Sequence, residues 1–491
     1  MNAPFPSWLS SLLSWNQGRI RGGVHPEGHK DLTADKPIVK HPFLPERLYL
    51  PLQQHIGQPA RPIVAVGDTV LKGQRVAAGK PGTLMATLHA PTSGRVVDIS
   101  PYPAPHVSGL PTQTLVLEPD GQDCRGDALF PPCDDPYRLT PEEIAVRVEA
   151  AGIVGLGGAA FPSAVKLNLG RNKRIHTLII NGGECEPYLT CDDRLMRERA
   201  AEIIEGVAIM RHALGASAAR VAIEDNKPEA YAAMLTEAAR HERIDVVQVP
   251  SLYPMGWEKN LITHLTGQEI PAGGLTFDAG IVMHNVATAH AIREAIRQGR
   301  PLISRVVTVS GGALDNPCNL EVPLGTRLSE LLAWCGHHPE QTVRYVMGGP
   351  MMGDPLPRID VPVVKKTNGI LALTADEVRA TDTKPCIRCG RCVGACPVGL
   401  LPLEMMTRIR AGQLDAAVDF GLRDCISCSA CSYACPSSIP LVHYFKYAQG
   451  EWAERNRNQQ KNDYTKRLIE EKQQRLERAR QRRSGKPAES A

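Results

Sequence analysis

The sequence predicts a multidomain protein of α/β and α+β class, and three observations carry that reading. Short apolar runs cut by Gly and Pro turns fill residues 46–119, as in an all-β domain. Strand-like and helix-like segments then alternate through residues 140–305, the pattern of a largely parallel sheet. Between residues 375 and 447 lie two cysteine runs of the same spacing, joined by helical periodicity. A chain of 491 residues is too long for one core, and its length suggests three to four domains.

Composition narrows the class. The net charge is +4, but from Glu451 onward 12 Lys/Arg face 7 Asp/Glu, a surplus of +5 that leaves about −1 for the first 450 residues. Such a tail is expected to meet anionic lipid, an acidic partner or only solvent. Aromatic residues make up 5% of the chain, which argues against a nucleic-acid stacking surface. No run of 18 apolar residues occurs and no signal peptide fits, so no membrane span is expected. Cys124, Cys133, Cys185, Cys191, Cys318 and Cys335 follow no paired spacing and read as reduced cytosolic thiols.

Residues 1–45 read as an N-terminal strap. Trp8, Leu9, Leu12, Leu13 and Trp15 fall near one helical face, as in an interfacial helix or a segment packed on the body. His25 and His29 have a metal-like spacing, but Pro26 and Gly28 break the helix such a pair needs. Over 46–119 the strand candidates are Ile63–Val66, Val70-Leu71 and Leu115–Leu117. Residues 120–139, rich in Pro and Asp, read as a linker.

Thr140 and Pro141 open a helix as N-cap and first residue. It leads into Gly155-Leu-Gly157-Gly158-Ala-Ala160, which matches a dinucleotide fingerprint except that a helix, not a strand, precedes it. Clustered glycines, a helix start at Pro162 and Lys166 one turn in favour an anion; the alternative is a tight helix–helix turn. His176–Ile180 is a buried strand, and Asn181-Gly-Gly-Glu184-Cys-Glu186 follows at its carboxyl end, where α/β proteins place ligands. Glu184 and Glu186 are expected to face one way along an extended chain, toward ribose hydroxyls or solvent. Glu198–Leu214 and Pro228–His241 read as helices, and Ala219–Glu224 and Asp245–Pro250 as strands. A loop with Tyr253, Gly256 and Glu258 breaks the alternation. Asn285 and Thr288, ahead of a helix over Ala289–Arg297, suit a flavin edge or a helix cap.

The cysteine runs are the most specific signal. Cys386, Cys389, Cys392 and Cys396-Pro397, then Cys425, Cys428, Cys431 and Cys435-Pro436, both follow C-x2-C-x2-C-x3-C-P, the bacterial two-cluster ferredoxin spacing. In that pattern the fourth Cys serves the other cluster. Cluster one is therefore assigned to Cys386, Cys389, Cys392 and Cys435, and cluster two to Cys396, Cys425, Cys428 and Cys431. Structural zinc and disulfides are the rivals, yet zinc needs only C-x2-C pairs. Helical periodicity at Leu403–Ile409 and Leu414–Phe420 favours an all-helical two-cluster ferredoxin domain over 375–447. Residues 448–491 read as a basic helical tail.

Several stretches resemble known families. Val66–Gln74 followed by His89–Gly94 resembles a biotinyl/lipoyl-type barrel-sandwich domain, without the turn that carries the modified Lys; Lys80 precedes Pro81. Gly155–Lys166 is similar to the FMN-binding glycine loop of the NADH-binding 51-kDa subunit of respiratory complex I, and the Asn181, Tyr253 and Asn285 stretches follow in that subunit's order. Val306–Gly353 resembles the soluble-ligand-binding β-grasp module, placed at 306–360, with strands at Val306–Val309, Asn319–Val322 and Val343–Val346 and a helix over Ser329–Cys335. Its Gly348–Gly353 loop is expected to pack on the flavin domain rather than bind a separate ligand. The whole order is similar to the C-subunit family of the Rnf (Rsx) electron-transport complexes.

That resemblance implies that Gly155, Gly157, Gly158 and Lys166 hold the FMN phosphate region. It implies Asn181, Asn285 and Thr288 near the isoalloxazine, and Glu184, Glu186 and Glu258 near NADH or the ribityl, with Tyr253 and Gly256 in the same binding loop. Gly183 and His284 depart from the complex I pattern, which has an acidic residue and Asn there. The implied cofactors are FMN and two [4Fe-4S] clusters, with NADH as substrate. The implied role is a peripheral subunit on the cytoplasmic side of the inner membrane. It would pass electrons to membrane subunits that couple NADH–ferredoxin electron transfer to Na⁺ or H⁺ movement, with ferredoxin or flavodoxin as distal partner. Cobalamin reductases resemble the same domain order, and a flavin-free relay subunit is a further alternative.

Overall fold

The structure, a computed structural model, describes residues 21–40, 42–79, 83–171, 173–378 and 382–483. The Trp8–Trp15 helix, Lys80-Pro81 and the end of the tail lie outside the described residues. The chain divides into two units, Met1–Asp382 and Thr383–Ala491.

In the first unit, β1 (Val39–Lys40) ends the strap, and seven strands follow: β2 (Leu48–Pro51), β3 (Arg61–Pro62), β4 (Thr69–Val70), β5 (Arg75–Ala78), β6 (Leu88–His89), β7 (Gly94–Pro103) and β8 (Pro111–Pro119). They form two antiparallel sheets, ordered β2-β8-β7-β4 and β3-β5-β6. Gly94 is required where β7 meets β8, because a Cβ there would lie 2.2 Å from Glu118 O. The stretch after β8 is held down rather than loose: Leu129 N donates to Gly299 O and Cys133 N to Arg297 O.

The α/β part begins with α1 (Pro141–Ala150), whose Thr140 cap forms a reciprocal capping box with Glu143. Then come α2 (Ser163–Leu167), β9 (Thr177–Gly182), α3 (Cys191–Glu198), α4 (Ala200–Leu214), β10 (Ala218–Glu224), α5 (Pro228–Ala238), β11 (Ile244–Val249), α6 (Glu258–Thr266), β12 (Ile281–Asn285) and α7 (Val286–Gln298). The sheet is fully parallel in the order β11-β10-β9-β12. The sequence starts a helix at Glu198, but Glu198 ends α3 and the backbone leaves the helical region at Arg199 (φ −135°, ψ 37°) before α4 begins. It also extends α5 to His241, three residues past its end, and starts α7 at Ala289, three residues late.

The third part has β13 (Ser304–Ser310), β14 (Cys318–Pro323), α8 (Leu328–Trp334), β15 (Arg344–Met347), β16 (Asp354–Leu356) and β17 (Gly369–Leu373). Its sheet runs β1-β14-β13-β17-β15-β16, so the strap supplies one edge strand and residues beyond 360 supply a central one. This part and the barrel strands share one core, in which Leu48, Leu115 and Leu117 pack with Leu320, Leu331 and Leu332.

Lys365 joins the three parts. Its buried ammonium donates to Thr87 O and Gly152 O, both at 2.6 Å, while its amide donates to Gln54 Oε1. Burial with no carboxylate beside it lowers Lys365 from 10.5 to about 7. The unfolded chain therefore holds more protons above pH 7, so this group's stabilisation is complete above the unfolded value and lost as pH falls to about 7. Over pH 7–8.5, the unfolding free energy should rise with pH by up to about 1.4 kcal/mol per unit through this group. Lys365→Met should flatten that slope in urea titrations; an unchanged slope contradicts the assignment.

The second unit is helical throughout the described residues: α9 (Arg391–Gly394), α10 (Pro402–Arg410), α11 (Leu414–Asp419), α12 (Ala430–Tyr433) and α13 (Leu441–Arg483). Phe445 and Ala448 of α13 sit in the small core with Met405, Ala417 and Leu422. The basic tail is thus not a separate element, because α13 continues through residue 448 without a break. Its 43 residues extend about 65 Å, and its side chains from Arg457 to Arg480 are exposed. No helix among the described residues is long and apolar enough to cross a membrane.

Candidate functional site

At the carboxyl edge of the parallel sheet four segments meet: the glycine loop, the turn after β9, the loop before α6 and the start of α7. Leu156 N donates to Thr288 Oγ1 at 3.0 Å, fastening the glycine loop to the first turn of α7. Lys166 Nζ donates to Met283 O at 3.0 Å and to Glu258 Oε1 at 3.3 Å. Asn181 Nδ2 donates to Gly256 O at 2.8 Å, and its Oδ1 accepts from Gly183 N. Asn285 caps α7 through Ala287 N, and its Nδ2 donates to Asp192 Oδ2 at 2.6 Å.

The glycine loop fits a phosphate. The amides of Gly157, Gly158 and Ala159 have no hydrogen-bond partner among the described residues, and all three residues are exposed. Gly158 is left-handed at φ 102° with nothing within 4 Å of a Cβ, while a Cβ on Gly157 would lie 3.2 Å from Asn285. Bare amides beside the α7 N-terminus are donors an anion needs, and Lys166 reaches Met283 O, two residues before the Asn285 cap of α7.

The two acidic side chains after β9 diverge. Strand pairing ends at Gly182 and the chain bends at Glu186, so the two residues do not lie on one extended run. Glu184 is buried and accepts from Asp192 N, Asp193 N and the Cys191 thiol, capping α3 instead of facing solvent. Glu186 accepts from Met351 N and Met352 N, which docks the Gly348–Gly353 loop onto this part; a Cβ on Gly349 would lie 2.2 Å from Glu186 Oε2. Burial pushes both carboxyls up to about 7, Lys30 opposing it in each case. Thr288 lies inside α7 rather than ahead of it, and Asn285 serves as its cap. Tyr253 pairs with Val24 of the strap through backbone hydrogen bonds in both directions.

Sequence reasoning missed the cations. Lys30, on the strap, is partly buried and donates to the carbonyls of Glu184, Glu186 and Leu189. Burial lowers it, with Lys227 adding to the effect and Glu184 and Glu224 opposing. Lys227 is paired with Glu224. Arg305 is buried and donates to Leu156 O and Thr367 O, holding the glycine loop from behind. None belongs to a motif, and Lys30 is 154 to 159 residues from its acceptors, so no local pattern pointed to them. His29 does not form a pair with His25: it stacks on Tyr188 at 4.6 Å, and His25 lies 3.1 Å from Ser251 O.

In the second unit the two cysteine loops repeat one conformation. Arg388 and Ser427 have φ 52° and 54°, and Gly390 and Ser429 have φ 74° and 64°, at matching places in the runs. Positive φ at three non-glycine residues is held only where the surroundings require it. A cavity is lined by Cys396, Cys425, Cys428 and Cys431 with Leu400, Ile426 and Phe445, so the first run's fourth Cys lies with the second run's first three. Reciprocally, burial raises the Cys392 thiol, with Cys435 and Cys389 as the neighbouring thiols that add to it. Leu400 N donates to Cys396 Sγ and Arg388 N to Cys386 Sγ, contacts of the kind that tune cluster potentials. Thiols crowded in this way fit the ligand set of two metal clusters.

Family models match four stretches: the RnfC barrel sandwich hybrid domain at 18–122, the Nuo51 FMN-binding domain at 148–294, the SLBB domain at 306–355 and the 4Fe-4S dicluster domain at 379–465. The chain is 56% identical to the C subunit of the ion-translocating oxidoreductase complex of Rhodobacter capsulatus, over 89% of this chain and 83% of that protein. It is 46% identical to the protein of the same name in Pseudomonas aeruginosa, over 94% of this chain and 59% of that one. To the C subunit of the proton-translocating ferredoxin:NAD(+) oxidoreductase complex of Clostridium ljungdahlii it is 43% identical, over 88% and 93%. A solved NAD⁺-reducing [NiFe]-hydrogenase in the air-oxidized state aligns over 66% of this chain and 64% of its own at 19% identity and a TM-score of 0.47, too loosely to carry weight. The cofactors are FMN and two [4Fe-4S] clusters, with NADH as substrate. The chain belongs to the family of C subunits of ion-translocating oxidoreductase (Rnf) complexes, related to the 51-kDa subunit of complex I.

Proposed function

We propose that this protein is the NADH-oxidising, peripheral subunit of a membrane-bound Rnf-type complex on the cytoplasmic face of the inner membrane. It passes electrons from NADH through FMN to its two clusters and on to membrane subunits, which couple NADH–ferredoxin electron transfer to Na⁺ or H⁺ movement. The observation that carries this reading is the meeting of four segments at one sheet edge, with three bare amides and Lys166 at its glycine loop. Bound FMN supplies the exchange between a two-electron hydride donor and one-electron carriers.

The chain's own part is positioning. The amides of Gly157, Gly158 and Ala159, with Gly155 shaping the turn, hold the phosphate, and Lys166 balances its charge. Asn181, Asn285 and Thr288 fix the loops around the ring. Glu184, Glu186, Tyr253, Gly256 and Glu258 shape the nucleotide side. Cys386, Cys389, Cys392 and Cys435 hold cluster one; Cys396, Cys425, Cys428 and Cys431 hold cluster two.

Anaerobic reconstitution tests the reading. The full chain should bind one FMN and about eight irons, and NADH should bleach both flavin and cluster bands. Eight irons without FMN, or no bleaching, sinks it. Co-purification with integral membrane subunits, weakened by trimming residues 451–491, is expected as well; a soluble, unassociated protein would argue against the membrane role.

A further inference from the structure

Glu224, the last residue of β10, has a carboxylate oxygen with nothing to bond. Its Oε2 pairs with Lys227 Nζ, but Oε1 is buried and has no hydrogen-bond partner among the described residues. The side chain is 1% exposed, so bulk water does not serve it. Leaving such an acceptor unmatched is costly, and exceptions of this kind call for a reason.

The surroundings offer one. The register of β10 with β9 pairs Ile223 with Gly182, which sets Glu224 beside Gly183. A Cβ on Gly183 would lie 3.8 Å from Glu224 Oε1, 3.8 Å from Gly256 Cα and 3.0 Å from Asn181 Oδ1. Gly183 is not among the residues with positive φ, so its backbone does not demand glycine. What its missing side chain does is keep clear a spot ringed by Asn181, Gly256 and Glu224, inside the candidate nucleotide site. Lys30, Lys227 and Cys185 are titratable groups that feel the charge of this carboxylate.

We propose that Glu224 is a ligand-binding residue whose Oε1 accepts a hydrogen bond from a sugar-type hydroxyl entering the space beside Gly183. This rests on the flavin and NADH reading above. The hydroxyl belongs either to the ribityl chain of FMN or to a ribose of NADH, and the experiment separates the two.

In the full chain, reconstituted anaerobically, FMN affinity is read from quenching of flavin fluorescence, and NADH kinetics with ferricyanide as acceptor. Glu224→Gln should weaken FMN about ten- to hundredfold if the ribityl is the donor. If ribose is the donor, FMN affinity holds and KM for NADH rises by that factor while kcat is kept. Glu224→Asp retains the charge for Lys227 and withdraws the oxygen, so it should shift the same constant should the Gln variant fold poorly. Gly183→Asp in the Glu224→Gln background returns a carboxylate to the same space and should recover most of the loss. Unchanged FMN affinity and KM in Glu224→Gln and Glu224→Asp, while the unsubstituted chain binds FMN, overturns the proposal; so does a loss that Gly183→Asp leaves uncorrected. An unsubstituted chain that neither binds FMN nor is bleached by NADH overturns the functional reading, and this proposal with it.

Discussion

Cys435→Ser should empty the cluster built by the other cysteine run. Cys435 is a neighbouring thiol of Cys392, whereas the cavity of the second run takes its fourth thiol from Cys396. Iron content should fall from about eight to about four per chain, and the four that remain should be those of cluster two. Cys396→Ser should do the reverse. Pairing makes the result specific: Cys435→Ser with Cys392→Ser should be no worse than either alone, since both strike one cluster. Cys435→Ser with Cys396→Ser should lose both. Iron and sulfide analysis with EPR of the reduced protein distinguishes these outcomes, and a Cys435–Cys431 double variant that keeps four irons would refute the exchange of ligands.

The second large effect is expected at Lys30. Its ammonium is the shared donor for three carbonyls of the turn after β9, and it stands among Glu184, Glu224 and Lys227. Lys30→Met removes the donor and leaves the buried carboxylate of Glu184 with less positive charge beside it. Removing the charged donor of hydrogen bonds in a partly buried turn costs about 1.5–3 kcal/mol. Urea unfolding should show a loss of that size, and NADH turnover should fall because the turn carrying Glu184 and Glu186 is released. A variant of unchanged stability would mean that the three carbonyls find other donors.

What could be read from the chain alone was what is local. The cysteine runs, the Thr140 cap, the glycine loop and strands such as β8–β11 and β13–β15 depend on neighbours a few residues away, whereas the strand expected at Ile63–Val66 falls in bends and a turn. Most misses depend on partners far off. Glu184 and Glu186 alternate correctly for an extended chain, but strand pairing stops at Gly182 and the chain bends at Glu186, which removes the premise. β17 lies beyond the predicted end of its module, and only its pairing with β13 and β15 shows that it belongs there. The barrel and the third part look separable, yet Val307 and Leu320 lie in the same core as Leu48 and Val96. The helical tail was visible by composition, but not its continuity with α13, because Phe445 and Ala448 face the cluster unit while later residues face solvent.

The strap has a consequence for how the protein is made. Residues 24–40 leave the ribosome long before their partners: Val24 waits for Tyr253, Lys36 for the carbonyl of Pro317 and Val39 for Leu320. Long-range closures of this kind come late, since the intervening chain must be ordered before they gain anything. A segment made well before its partners is thus among the last to dock, and until it does the turn after β9 lacks Lys30.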